Sequence, residues 1–171
     1  MKKLFTILFF LSQLSVLSNP YSSLFAQAVK IPHTVDSLEN LLNNAPDSNK
    51  IEILLLLREE YEEINLSKAV DYAHQALDLA KESYNKDTIA ICYYYVGLTY
   101  WLQNTYTSAL DYLLKALEMY NVFADSSEEA VSNVGRERIS HTLFPIGNIY
   151  FAIGNYDKAL NYALQMLNIE E

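Results

Sequence analysis

A chain of 171 residues is long enough for one domain of ordinary size, and its 51% hydrophobic residues are enough to bury a core. Four glycines and four prolines are too few for a low-complexity chain. The formal charge of −9 disfavours nucleic acid and anionic lipid as partners.

The first 28 residues contain the three parts of a secretory signal peptide. Lys2 and Lys3 form a basic start, Leu4–Leu17 is an uncharged apolar run, and Ala26-Gln27-Ala28 supplies small residues before Val29. The apolar run is too short to span a bilayer comfortably. We predict a signal peptide at 1–28 and an exported protein, periplasmic or extracellular, with no membrane span. Cleavage after Ala26 and an uncleaved anchor are the alternatives.

Export has two consequences for the composition. Removing residues 1–28 removes two lysines and no acid, which takes the formal charge from −9 to −11. The single cysteine, Cys92, cannot form an internal disulfide. Its place in an apolar stretch predicts a buried, inert thiol.

Residues 29–49 form a leading segment with one short helix. Val35–Asn44 carries Leu38, Leu41 and Leu42 on one face, and Thr34 or Asp36 is placed to cap it. Pro46 follows and ends the helix.

The stretch 90–121 contains two apolar runs of helical period. Tyr93, Val96 and Tyr100 share one face of a first helix, and Gly97 is small where a second helix crosses it. Asn104 and Thr105 make a polar break between the runs. The buried face of the second helix consists of residues at three- and four-residue spacing, namely Ala109, Leu113, Ala116, Leu117 and Tyr120.

The same pattern occurs twice more. In residues 143–167, Gly147, Tyr150 and Ala159 stand where the central copy has its glycine, tyrosine and first alanine. An upstream copy has Arg58 at the glycine position and one residue fewer between its tyrosine and its first alanine, which leaves its turn geometry open.

This pattern of aromatic-x2-aliphatic-Gly-x2-Tyr followed by spaced alanines resembles the tetratricopeptide repeat. The resemblance implies an all-α, right-handed solenoid of about three helix pairs, with repeats near 50–84, 90–121 and 140–171. It also implies tight helix crossings at four small residues, Gly97, Ala109, Gly147 and Ala159.

An insert near 122–139 separates the second and third repeats, because their glycines are further apart than the 34-residue period. Ser126 and Glu129 have capping-box spacing. The insert is either a backward extension of the next helix or a loop with a separate short helix. Gly135 and Pro145 weaken the first alternative.

No catalytic motif is present. The chain lacks a P-loop, a nucleophile elbow and a zinc-protease motif. His74 has Asp71 and Asp78 on its helix face, but a solvated surface explains these residues better than a metal site does. We therefore expect no enzyme activity, no cofactor and no metal.

The resemblance implies a concave groove lined by the first helix of each pair. Carried onto this chain, the groove positions are Glu52, Leu55, Glu59 and Glu62, then Ile91, Tyr94, Leu98 and Trp101, and finally His141, Phe144, Asn148 and Phe151. This groove is acidic at one end and aromatic in the middle, which favours a protein or peptide ligand with an apolar or aromatic part and a basic flank. The alternative is that the insert or further helices cover it.

We predict an exported, non-catalytic scaffold that binds protein or peptide segments. The alternative is the sensory region of a larger membrane signalling protein such as a histidine kinase, nucleotide cyclase or transcription regulator. Leu160, Leu164 and Leu167 have no following helix in this sequence, which predicts a fragment or self-association through the last helix.

Overall fold

The computed structural model describes residues 34–125 and 129–169, and the side chains of 129–131 are outside the description. The predicted signal peptide at 1–28 therefore lies outside the described residues. Within them the chain forms helices and no strand. The seven helices in this part are α1 (Val35–Asn44), α2 (Asp47–Glu62), α3 (Leu66–Glu82), α4 (Lys86–Leu102), α5 (Tyr106–Ala124), α6 (Glu129–Ala152) and α7 (Tyr156–Ile169).

The helices from α2 onwards form three successive pairs. Each helix packs on the next along the chain, and α1 packs on α2 where the second helix of a preceding pair would lie. Buried leucines, isoleucines and alanines make a core that continues from pair to pair. The prediction of an all-α helical solenoid is confirmed.

Asparagine side chains cap the starts of three helices in the described ranges, at Asn65, Asn85 and Asn155. The Asn65 side chain accepts hydrogen bonds from the backbone N–H groups of Ser67 and Lys68, at 3.1 and 3.2 Å. Asn85 caps α4 in the same way. These contacts satisfy N–H groups that have no partner within the helix, so they fix where α3 and α4 start.

The turns inside the second and third pairs share one geometry. Asn104 and Gly154 have positive φ angles of 59° and 78°. Beyond them the Thr105 N–H reaches the Tyr100 carbonyl and the Asn155 N–H reaches the Tyr150 carbonyl, at 2.9 and 2.8 Å, as in a Schellman motif.

The first turn lacks this left-handed residue. There the Asn65 N–H bonds to the carbonyl of Tyr61, four residues back, at 2.8 Å. The segment from Tyr61 to Ala69 is one residue shorter than its counterpart in the second pair. It lacks the residue that has a positive φ angle there.

The helix crossings at Gly97 and Gly147, both predicted to be tight, differ in how much space they leave for a Cβ atom. A Cβ on Gly97 would lie 2.7 Å from Leu113 Cγ and 2.9 Å from the Leu113 nitrogen, so this crossing is tight. A Cβ on Gly147 would meet nothing closer than 3.6 Å, so the prediction for that glycine is wrong. The register explains it, because Ala163 occupies the position of Leu113 in the third pair.

The inserted residues extend α6 backwards into a helix of 24 residues that runs through Pro145. Gly135 lies where a Cβ would come within 2.5 Å of the Ala124 nitrogen, and Ser132 Oγ donates to the Ala124 carbonyl at 2.8 Å. The extension is therefore packed against the end of α5. No helix in the described ranges is both long and apolar enough to cross a membrane.

Candidate binding groove

The first helices of the three pairs form the inner face of the solenoid. Among the described residues, α2 contacts α4 and α4 contacts α6, while successive second helices approach one another more weakly or not at all. The row of first helices is therefore the shorter side of the curve, and its outward-facing residues line a concave groove.

The aromatic part of the predicted groove lies on α4 and α6. Its members are all half-buried: Tyr94, Leu98, Trp101, Phe144, Asn148 and Phe151. The rings of Trp101 and Phe144 meet edge to face with centroids 6.2 Å apart, which joins the two helices across the groove. Phe151 contacts Tyr156 in the same manner at 5.4 Å. The first contact joins α4 to α6 and the second joins α6 to α7, and each member of the stripe keeps part of its surface exposed.

The acidic end of the groove is less charged than the sequence suggests. Glu52, Glu59 and Glu62 are half-buried on α2, as the register requires. The carboxylate of Glu62 forms an ion pair with the buried Arg58. Burial raises the pKa of Glu62, and the Arg58 charge offsets part of that shift. Burial also raises the pKa of Glu52. Of the three acidic residues predicted for the groove, Glu52 and Glu59 remain to attract a basic group.

Arg58 is a residue whose role the sequence did not reveal. Its side chain is 2% exposed, it lies 4.6 Å from the centre of the Tyr95 ring, and it donates to Thr99 Oγ1 at 3.4 Å. Its Nε has no hydrogen-bond partner within the described residues. In the repeat alignment, Arg58 stands at the position of Gly97, and Ala73 stands at the position of Leu113. Because alanine is smaller than leucine, the first pair has room for the arginine side chain. Arg58 therefore ties the first pair to α4.

The insert packs far from Trp101. Arg138 forms an ion pair with Asp87 in the first turn of α4, and its guanidinium lies 5.6 Å from the centre of the Tyr120 ring. Asp87 and Trp101 are separated by almost the whole of α4, about 20 Å at 1.5 Å per residue. These contacts of the extension therefore lie at the opposite end of α4 from Trp101.

Stacked tyrosine pairs recur in each helix pair, and the sequence analysis missed them. The pairs are Tyr61 with Tyr72, Tyr100 with Tyr112, and Tyr150 with Tyr162, at centroid distances of 5.5, 5.7 and 5.5 Å. The sequence contains a pattern that could have predicted two of these pairs, because a tyrosine follows Tyr100 by twelve residues and another follows Tyr150 by the same number.

In the first two pairs, tyrosine hydroxyl groups contact a side chain of the preceding helix. Tyr61 and Tyr72 both donate to Glu39 Oε1, at 2.9 and 3.0 Å. The Tyr100 hydroxyl lies 3.0 Å from His74 Nε2. His74 is half-buried against the Tyr100 and Tyr112 rings. Its assignment to a solvated face is therefore wrong.

The arrangement offers surfaces for contact rather than groups for chemistry. Cys92 is fully buried, and burial raises the pKa of its thiol to about 12, which keeps it protonated. Across the described residues, no three His, Cys, Asp or Glu side chains are grouped to hold a metal ion.

The sequence matches the family model described as tetratricopeptide repeat over residues 65–121, from the start of α3 into α5. None of the curated proteins gives a match. Among solved structures, the chain is similar to one described as MamA at 22% identity, with 80% of this chain and 86% of that chain covered and a TM-score of 0.41. It is also similar to BtubC (BKLC) from P. vanneervenii at 18% identity, with 96% of this chain and 81% of that chain covered and a TM-score of 0.46.

Proposed function

We propose that this chain, which belongs to the tetratricopeptide repeat family, is an exported, non-catalytic scaffold that holds a protein or peptide segment in its concave groove. The observation that carries the proposal is the half-buried aromatic stripe on α4 and α6, in which Trp101 meets Phe144. Proteins of this family generally bind other proteins. The first helices of all three pairs line the groove.

The stripe exceeds what the fold needs for its own packing. The cores on either side of α4 are filled by fully buried residues such as Val96 and Ala90. Trp101 and Phe144 pack against the edges of the core clusters and remain partly open. Contiguous apolar surface on a soluble chain usually marks a contact site, and tryptophan and tyrosine are the residues that most often anchor one.

The charge of the groove indicates the chemistry of the ligand. Within residues 34–125 and 129–169, Glu52 and Glu59 form no ion pair near one end of the groove, while Arg58 neutralises Glu62. A segment with an aromatic or aliphatic anchor near Trp101 and a lysine or arginine towards α2 satisfies both features. An acidic segment would be repelled by these carboxylates and by the net charge of −9.

Capture of partners by immobilised variants tests the proposal. Trp101→Ala removes the anchor, and Tyr84→Ala is a matched control because Tyr84 is an aromatic residue 88% exposed outside the groove. Extracts of the native cell should yield a partner bound by the parent and by Tyr84→Ala but released by Trp101→Ala. Equal capture by all three proteins, at equal thermal stability, would exclude Trp101 as the anchor.

Export is the second part of the proposal, and it is supported by Lys2-Lys3, the apolar run and Ala26-Gln27-Ala28. The mature chain should begin at Val29 and be recovered outside the cytoplasm. N-terminal sequencing of the protein from fractionated cells tests this directly. Recovery of the chain in the cytoplasm with Met1 intact would contradict it.

A further inference from the structure

One neutral polar side chain interrupts the aromatic part of the groove. Asn148 lies on α6 between Phe144, four residues before it, and Phe151, three residues after it, so the three share one face. Phe144 meets Trp101 of α4, and Phe151 meets Tyr156 of α7, with ring centroids 6.2 and 5.4 Å apart. The amide of Asn148 is therefore flanked along its helix by aromatic rings that contact the neighbouring helices.

The side-chain amide of Asn148 has no hydrogen-bond partner among the residues that the structure describes. It is one of two half-buried side-chain amides in those ranges. The other, Gln103, donates from Nε2 to the Leu66 carbonyl at 3.1 Å. A side-chain amide offers two N–H donors and one carbonyl acceptor, and the protein itself usually satisfies such groups where they are buried. The hydrogen bonds of Asn148 are therefore left to solvent or to a ligand.

The position of Asn148 is accessible on the first helix of every pair. Glu59 and Leu98 stand at the same place in the repeat on α2 and α4, and both are half-buried although a further helix pair packs beside each of them. A following pair therefore does not cover this position. The accessibility of Asn148 is a property of the groove.

A ligand that packs on Trp101 and Phe144 also covers Asn148, because Phe144 and Asn148 are one helical turn apart on the same face. Covering the amide removes its water, and a buried amide without hydrogen-bond partners lowers the affinity. A helical ligand offers no main-chain partner in return, since its N–H and C=O groups are bonded within the helix. An extended ligand has main-chain N–H and C=O groups that are free to bind the amide.

We propose that the partner segment crosses the groove in an extended conformation and that Asn148 binds its main chain. The N–H and C=O groups of one extended residue point to the same side, so the amide carbonyl accepts from that N–H while the amide nitrogen donates to that C=O. The apolar anchor of the segment packs on Trp101 and Phe144, and its basic flank points towards Glu59 of α2. This inference rests on the proposed function and adds the backbone conformation of the ligand.

Linear peptides selected from a random library on the full chain serve as the probe, and fluorescence anisotropy measures their affinity. Asn148→Leu keeps the approximate size of the side chain but removes its hydrogen bonds, so it should raise the dissociation constant about 10-fold or more. Asn161→Leu is the matched control, because Asn161 is an exposed asparagine on α7, and this variant should bind with the affinity of the parent. Leucine is a good helix former, so both variants should fold, and their urea midpoints check this.

Backbone N-methylation of the selected peptides identifies the group that Asn148 binds. Methylation of one N–H beside the anchor should weaken binding to the parent and have little further effect on binding to Asn148→Leu. If no selected peptide loses affinity for Trp101→Ala, the groove is not the binding site, and the proposed function fails together with this inference. Peptides that need Trp101 but bind Asn148→Leu like the parent overturn this inference alone. So does the absence of any N-methylation whose effect depends on Asn148.

Discussion

Individual residue sizes decide how closely each helix pair closes. Gly97 is required because Leu113 fills the crossing, whereas a Cβ on Gly147 would make only ordinary contacts with Tyr162 and Ala159. The repeat motif predicted the first crossing correctly and the second wrongly. The motif includes the glycine but does not specify the residue that faces it on the second helix. The size of that facing residue determines whether a Cβ fits at the glycine position.

The two glycines should therefore respond oppositely to the same substitution. Gly97→Ala should destabilise the chain by roughly 1–3 kcal/mol, since its Cβ would overlap Leu113. Gly147→Ala should be neutral or stabilise it by up to about 1 kcal/mol, because alanine costs less backbone entropy in a helix. Urea unfolding of both variants measures this, and equal destabilisation would contradict the assigned crossings.

The ion pair between Arg58 and Glu62 should contribute more to stability than the exposed carboxylates beside it. Glu62→Gln leaves a buried guanidinium without its counter-charge and should cost about 1–3 kcal/mol. Glu59→Gln, one helical turn away on the same groove face, should change the urea midpoint little. If the two variants unfolded at the same midpoint, the pair would contribute nothing beyond a surface charge.

At the scale of elements, helix positions could be predicted, but apart from the Gly97 crossing the close contacts between helices could not. The periodic runs and polar breaks located the helix pairs in the sequence. The length of α6 stayed open because Gly135 weakens a helix in isolation. The structure shows that Gly135 allows close approach to Ala124, a contact visible only once α5 and α6 are packed.

The leading helix α1 is joined to the first pair through Glu39. Hydrogen bonds from Tyr61 and Tyr72 lower the pKa of Glu39 below its ordinary 4.5. A lowered folded pKa means that the unfolded chain binds the proton more tightly. The Glu39 contribution to stability is therefore present above pH 4.5 and is lost as the pH falls through the folded pKa.

Glu39→Gln should remove that acid sensitivity. The difference in urea midpoint between the parent and Glu39→Gln should be largest at neutral pH and should shrink as the pH is lowered below 4.5. Glu52 and Glu62, whose pKa values are raised, contribute with the opposite sign but are present in both proteins. A difference that stayed constant with pH would show that Glu39 is not held by the two hydroxyl groups.

At the scale of the whole molecule, the solenoid places the groove-facing side chains of α2, α4 and α6 next to one another on one surface. The repeat register predicts which residues face the groove, and their role in binding stays a prediction. Arg58 and Glu62 have the i,i+4 spacing of a helical ion pair, but the burial of Arg58 against Tyr95 and Thr99 of α4 could not be predicted from that spacing. The groove therefore has an aromatic centre and an acidic end reduced to Glu52 and Glu59.

Site-specific photo-crosslinking in the native cell tests the central claim, that the concave stripe on α4 and α6 holds a partner segment. A benzophenone amino acid replaces Leu98 on the groove or Val122, which is 67% exposed near the end of α5. Irradiation should give a discrete crosslinked partner from position 98 and none from position 122. No product from position 98, or the same product from both, would contradict the account.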